Sequence, residues 1–171
     1  MNIRPARPAD AKEITRVLAN SAEAAYAEIL ADDHLQRRFF DIDVDSLETR
    51  LERTGADSGV IYLVAEAKNG IVGFVQLVFG TEAPEHVDSD VAYLKSLYVR
   101  PADWRDGVGE ALLTEGLSRI PNSLERVELA VFTQNNIGQK FYEKHGYEQV
   151  GSGEFEIQDT SYGTDVYAKT R

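Results

Sequence analysis

The chain has 171 residues and a formal net charge of −11, and it contains no cysteine. Its length suits a single domain over residues 1–171 that buries about two-thirds of the surface an unfolded chain exposes. The acidic balance excludes the basic face that a nucleic-acid partner requires, and the lack of thiols excludes disulfides, thiolate nucleophiles and thiolate metal sites.

His34, His86 and His145 show no metal-ligand spacing, so no metal is expected. No apolar run approaches the roughly 18 residues of a membrane span. Met1-Asn2-Ile3-Arg4-Pro5 turns polar at once, without a secretory apolar segment, so a cytoplasmic address is the expectation.

In chain order, Asp10-Ala11-Lys12-Glu13 reads as a capping box, with Asp10 capping and Glu13 reaching back. Ile14, Val17, Leu18, Ala22 and Ala25 then recur as one buried helical face. Further helical stretches are predicted from about His34 to Phe40, where His34 reads as a surface residue, and from about Asp45 to Arg53 with Asp45 as cap. Val60–Ala65 and Ile71–Phe79 read as a hairpin around Asn69-Gly70, a pair that favours a type I′ turn. Val91–Val99 is a strand that Pro101 stops. A helical pattern covers Gly107–Ile120, a β-rich run covers Arg126–Phe132, and a second helix is predicted over Asn136–His145. Tyr147–Ile157 and Asp165–Lys169 complete the strands. The order β-α-α-β-β-β-α-β-α-β-β implies a mixed α/β (α+β) domain, a sheet with helices on its faces.

Charge is uneven along this order. Residues 91–145 hold seven basic and seven acidic side chains, so the whole net charge lies outside them and an anionic ligand would favour the centre. The same distribution also suits a solubilising acidic surface.

Two strand–loop–helix junctions carry the chemistry. In the first, Leu97-Tyr98-Val99-Arg100-Pro101 leads through Trp104-Arg105-Asp106-Gly107-Val108-Gly109 into a helix. Glycines let backbone N–H groups approach a ligand, and a helix start offers unpaired donors and partial positive charge, which suits a pyrophosphate. The same pattern also describes a tight turn with close helix packing. In the second, Asn135-Asn136-Ile137-Gly138-Gln139-Lys140-Phe141-Tyr142-Glu143-Lys144-His145-Gly146-Tyr147 reads locally as a capped helix with core aromatics, ended by Gly146.

Together these runs resemble the two signatures of the Gcn5-related N-acetyltransferases. The first signature is a basic residue or Gln, two residues, Gly, one residue, and Gly or Ala; it falls on Trp104–Gly109, with Trp in place of the usual Arg or Gln. The second falls on Asn135–Tyr147, with Gly138 for Ala and Tyr147 for Phe. The resemblance implies a central, mostly antiparallel sheet with helices on both faces, and acetyl-CoA as the acyl donor. The donor would be bound through Leu97, Tyr98, Val99, Arg105, Asp106, Gly107, Val108, Gly109 and Asn135. It further implies that the Val99 N–H faces the carbonyl oxyanion and that Tyr142 protonates the leaving sulfur.

Many members carry Glu where this chain has Tyr93, so no base is assigned; a water chain to Tyr93, Asp90 or Glu28 is the alternative to packed or solvated roles for these residues. The tail, Gly151–Asp159 and Asp165–Lys169, resembles the bacterial polyamine acetyltransferase branch. Glu23, Glu28, Asp32, Asp33, Asp41, Asp43 and Asp45 fall in the first helices, which in this family line the acceptor side, so a polyamine is the narrower expectation for the amine. Protein N-terminal or lysine acetylation is the alternative, as is a non-catalytic coenzyme A-binding module, for which Trp104 and the absent Glu argue. The sequence does not read out an oligomeric state; family members often pair, and a homodimer enters only through the resemblance.

Overall fold

The computed structural model describes residues 1–171, apart from the side chain of Ala56. Seven strands form one sheet: β1 (Asn2–Pro5), β2 (Val60–Ala67), β3 (Gly70–Val78), β4 (Val91–Val99), β5 (Arg126–Phe132), β6 (Glu148–Ile157) and β7 (Thr160–Thr170). Their order in space is β1-β2-β3-β4-β5-β7-β6, with every pair antiparallel except β4 and β5. Five helices accompany it: α1 (Ala11–Tyr26), α2 (Asp32–Leu35), α3 (Val44–Leu51), α4 (Val108–Arg119) and α5 (Asn136–Lys144). The α/β architecture with a mostly antiparallel sheet is as expected, and α1, α2 and α3 fall at the three helical stretches expected between β1 and β2.

The central strands bury both faces. β3 is buried along most of its length, which is why Val72, Phe74, Val75 and Leu77 form a nearly unbroken apolar run. On one face Leu112 of α4 packs over Leu63, Val75 and Leu129. On the other, Ile14 and Val17 of α1 and Leu47 and Leu51 of α3 pack over Tyr62, Val64 and Phe74. A third cluster joins Ala22, Leu30 and Phe39 to Phe132 and Ile157, tying the end of α1 to the far half of the sheet.

Local chemistry differs from expectation where another partner outbids the one the helix pattern assigns. Asp10 does not cap α1; its carboxylate accepts from the Arg7 N–H at 2.7 Å and from the Arg4 guanidinium at 2.7 and 3.0 Å. Glu13 accepts from the Ile71 N–H at 2.8 Å, across the bulge beside the hairpin. In that hairpin Lys68 and Asn69 keep negative φ and Gly70 takes φ 97°, so the turn is followed by a glycine bulge instead of being type I′. α3 is capped by Asp43, which accepts from Asp45 and Ser46, and not by Asp45. His34 is buried, its Nδ1 2.6 Å from the Tyr162 hydroxyl, because the bend after α1 presses α2 onto β7.

Arg4 bridges two carboxylates, its Nε and Nη2 reaching Glu66 at 3.1 and 3.0 Å, and so joins β1, β2 and the start of α1. Burial pushes the Asp10 carboxyl up, but the hydrogen bonds from Arg4 and Arg7 outweigh it and hold the group below its ordinary range. Asp10→Asn should therefore cost about 1–3 kcal/mol in urea unfolding at neutral pH. A depressed carboxyl contributes stability that is complete above its unfolded pKa of about 4 and fades as pH falls through the lower folded value. The wild type and the variant should accordingly converge in acid; a gap that persists unchanged there would show that the charge is not what matters.

Candidate active site

The parallel pairing of β4 and β5 lasts for three residue pairs only, Val91 with Arg126 through Tyr93 with Glu128. Beyond them β5 stays with β7 as far as Phe132, while β4 stays with β3 as far as Val99. The two strands part, and a cleft of about 660 Å³ opens between them, well within the range of small-molecule sites.

Strand geometry sets what β4 offers to this cleft. The Arg100 N–H donates to the Val72 carbonyl at 2.8 Å, so by antiparallel alternation the N–H and C=O groups of Val99 and Leu97 point away from β3, toward the space β5 has left. Their side chains pack on the α4 face, whereas Tyr98 points to the α1 face. The cleft therefore connects the two faces of the sheet. All three residues line it.

β4 ends in the glycine loop. Arg105 and Gly107 both take positive φ, 70° and 78°, and the second delivers the chain into α4. Among the described residues, no N–H from Arg105 to Glu110 donates to another protein group, so a row of free donors meets the positive end of a twelve-residue helix. Arg105, Gly107, Val108 and Gly109 line the cleft; Asp106, between them, is exposed and does not. A Cβ on Gly109 would lie 3.3 Å from the Phe141 ring, so the glycine is the residue that lets α4 and α5 converge here. Trp104 folds its indole back, and Nε1 donates to the Val99 carbonyl at 2.6 Å, fastening the loop to the strand it leaves. That contact leaves the Val99 N–H as the free group of its pair.

The second junction supplies the opposite wall. Asn135 caps α5, its Oδ1 accepting from the Gly138 N–H at 3.1 Å. An alanine at 138 would place its Cβ 2.6 Å from the Asn135 amide, which accounts for glycine in this cap. Tyr142 lies one turn from the end of α5, with its ring against Phe141 and Tyr147, and it faces the cleft with Asn135. Burial first, then the neighbouring Tyr98, Tyr147 and Tyr93, pushes its hydroxyl far above the ordinary phenol range. Among the described residues that hydroxyl has no hydrogen-bond partner, so it is a neutral donor left for a ligand. His145 ends the helix; its Nδ1 donates to the Phe141 carbonyl at 2.7 Å, and Nε2 lies 3.7 Å from a Glu110 oxygen.

The structure also brings in residues that no local pattern marked. Tyr26 and Phe39 arrive from the end of α1 and the helical turn at residues 36–40, Phe155 arrives from β6, and Arg38 and Lys95 come with them. Tyr26 packs on Phe39 and Phe132, its hydroxyl 3.5 Å from that of Tyr98. Of the residues weighed as a base, Tyr93 lines the cleft and Asp90 and Glu28 do not. Burial and then Glu128 raise the Tyr93 hydroxyl, which leaves it a poor base. The acidic residues of the first helices do not line the cleft either. The α1 positions that do are Ser21, Ala25 and Tyr26, which places Glu23 and Glu28 on the outer face.

Comparison with known proteins follows the same geometry. Residues 23–147 match the family model described as the acetyltransferase (GNAT) family. Among curated proteins no relative matches the chain. A PaiA N-acetyltransferase of Thermoplasma acidophilum, crystallised in complex with coenzyme A, superposes with a TM-score of 0.78 at 22% identity, covering 99% of this chain and 98% of that one. A ribosomal-protein-alanine N-acetyltransferase of Brucella melitensis gives 0.77 at 20% identity, with both chains covered completely. A GNAT-family acetyltransferase of Streptococcus pneumoniae gives 0.73 at 23%, covering 99% of each chain. At these identities the likeness is one of fold.

Trp104→Phe removes the donor to the Val99 carbonyl while keeping an aromatic ring. Amide exchange at Arg100, Asp103 and Trp104, the bonded N–H groups of this stretch, should accelerate several-fold, as expected for the loss of roughly 1 kcal/mol of hydrogen bonding. Unchanged exchange would mean that the indole N–H does not hold the loop.

Proposed function

We propose that this chain, which belongs to the acetyltransferase (GNAT) family, moves the acetyl group of acetyl-CoA to a primary amine by direct attack at the fork between β4 and β5. The observation that carries the reading is the continuity of that fork with the glycine loop. A row of free N–H groups at the start of α4 suits a pyrophosphate, and the unpaired edge at Leu97 and Val99 suits the amides of a pantetheine arm. Arg105, Val108 and Asn135 flank that path, and Lys140 and Lys144 add positive charge at its loop end.

When bound, acetyl-CoA supplies a thioester carbonyl and a thiolate leaving group. The Val99 N–H, held in direction by its pairing with β3 and by Trp104, donates to the carbonyl oxygen as negative charge builds there. The amine nitrogen gives its electron pair to the carbonyl carbon, the carbon–sulfur bond breaks, and Tyr142 donates its proton to sulfur. The proton lost by nitrogen passes to water and restores the tyrosine, so the net change is one proton moved from nitrogen to sulfur. Trp104 occupies a position where the pattern has Arg or Gln, but its indole braces the loop, which favours a working site over a regulatory module without turnover. The homodimer and the protein acceptor have no feature here that favours them.

Gly109→Trp should abolish coenzyme A binding in a calorimetric titration, since the ring would overlap Phe141, whereas Arg105→Ala should only weaken it; unchanged affinity in the Gly109 variant would remove the donor from this site. Tyr142→Phe should lower kcat by about 10²-fold or more and leave Kd for coenzyme A nearly unchanged. Because the Tyr142 pKa is raised, its hydroxyl stays protonated beyond about pH 10, and the rate should show no alkaline limb below that pH which disappears in Tyr142→Phe. A limb that did disappear would contradict the neutral donor.

A further inference from the structure

At the end of the cleft away from the glycine loop stand two cations with no protein counter-ion. Arg38 lies with its guanidinium 5.4 Å from the Phe39 ring centroid and 5.6 Å from that of Phe155, an arrangement that holds the planar fork against the aromatic wall. Lys95 is the extra residue of a β-bulge, for Gln76 pairs with Ser96 and Leu77 with Leu94, and the bulge turns the lysine to the same α1 face of the sheet. Both line the cleft, and among the described residues neither makes an ion pair.

Among the described residues the only carboxylates that line the cleft, Asp103 and Glu110, belong to the loop end and face Arg100 and His145. In a chain of net charge −11, two exposed cations that share one end of the cleft with an aromatic wall, with Glu82 as the acidic neighbour of Lys95 but no ion pair to either, offer a place for an anion that arrives with the ligand. That anion is not the donor's pyrophosphate. Lys95 precedes the glycine loop by several residues along β4, and four residues of strand alone span about 13 Å.

We propose that the acceptor is a primary amine that carries its own carboxylate, with Arg38 forking the carboxylate, Lys95 beside it, and the amine presented to the β4–β5 fork. The inference rests on the acetyl-transfer reading and names the substrate class for it. It also suits an end of the cleft that, among the described residues, no carboxylate lines: two nearby positive charges favour the neutral, nucleophilic amine over the ammonium form. Consistent with such crowding, partial burial and then Arg50 and Arg38 hold the Lys95 ammonium below its usual range, against a smaller opposing pull from Glu82. A polycation would meet the same charges as repulsion, and the acidic residues that would welcome it lie outside the cleft.

The test is a steady-state panel of amines with acetyl-CoA: free α-amino acids, the same amino acids as C-terminal amides, short peptides with an acidic second residue, and spermidine. It is run on the wild type, Arg38→Gln, Arg38→Lys and Lys95→Met, with coenzyme A affinity measured in parallel. Carboxylate-bearing amines should exceed their amides by about 10-fold or more in kcat/KM, the scale of one charge-assisted hydrogen bond. Arg38→Gln should raise KM for them by a similar factor with kcat little changed and leave the amides unaffected, with Arg38→Lys recovering only part. Faster turnover of the free amino acids or of the acidic peptides assigns the source of the carboxylate. Spermidine or the amides reacting as fast as the carboxylated amines, or Arg38→Gln acting equally on both, would overturn the inference while coenzyme A binding stood. No coenzyme A binding in the wild type would overturn the acetyl-transfer reading itself, and the inference with it.

Discussion

The site depends on one failure of pairing. β5 is committed to β7 along its whole length and β4 to β3, so after Tyr93 and Glu128 the two middle strands cannot remain together. Sheet twist widens the gap, and the N–H and C=O groups of Leu97 and the N–H of Val99 are left facing it, the Val99 C=O being taken by Trp104. A buried backbone polar group without a partner is costly, so such an edge exists in a folded protein where water or a ligand completes it. The fork thus provides both the space and the hydrogen-bonding template, and it opens the sheet from the α4 face to the α1 face.

What surrounds the fork separates charge along it. At one end are the free N–H groups of residues 105–110 with Arg105, Lys140 and Lys144; at the other are Arg38 and Lys95. Between them lie Tyr26, Tyr98 and Tyr142, whose hydroxyls burial keeps neutral. A neutral, aromatic middle limits screening by water and leaves directional hydrogen bonds as the means of stabilising charge that appears only during reaction. The acidic excess of the chain lies on the outside of this arrangement.

Two substitutions relative to the family pattern are explained by contacts. Trp104 replaces a long polar side chain, and its indole N–H ties the loop to the Val99 carbonyl, so rigidity is supplied from within the loop. Gly138 replaces alanine because the Asn135 amide that caps α5 occupies the space a Cβ would need. Both act on the backbone that frames the cleft.

The strands, the two junction helices and the glycine loop were legible in the sequence because each rests on local rules: apolar alternation, glycine at positive φ, and an Asn cap three residues before a bonded N–H. Gly107, Gly109 and the Asn135 cap could be chosen on that basis, and Leu97, Val99 and Tyr142 by resemblance to the family; the structure gathers all six in one cleft. Local rules failed where a partner distant in sequence competes for the same group. Asp10 and Glu13 abandon the capping box for Arg4, Arg7 and Ile71, and His34 is buried by Tyr162, well over a hundred residues later. The acceptor end belongs wholly to this second class. Arg38, Phe39, Lys95 and Phe155 come from a helical turn, a bulge and the penultimate strand, with no spacing to join them. The acidic residues that the family resemblance put on the acceptor side do not line the cleft, whereas the exposed Arg38 and Lys95 do. Residue type and spacing determined the fold and the glycine loop, since these depend on neighbours in sequence; the lining of the far end of the cleft was decided only by tertiary packing, since it depends on which faces of distant elements meet.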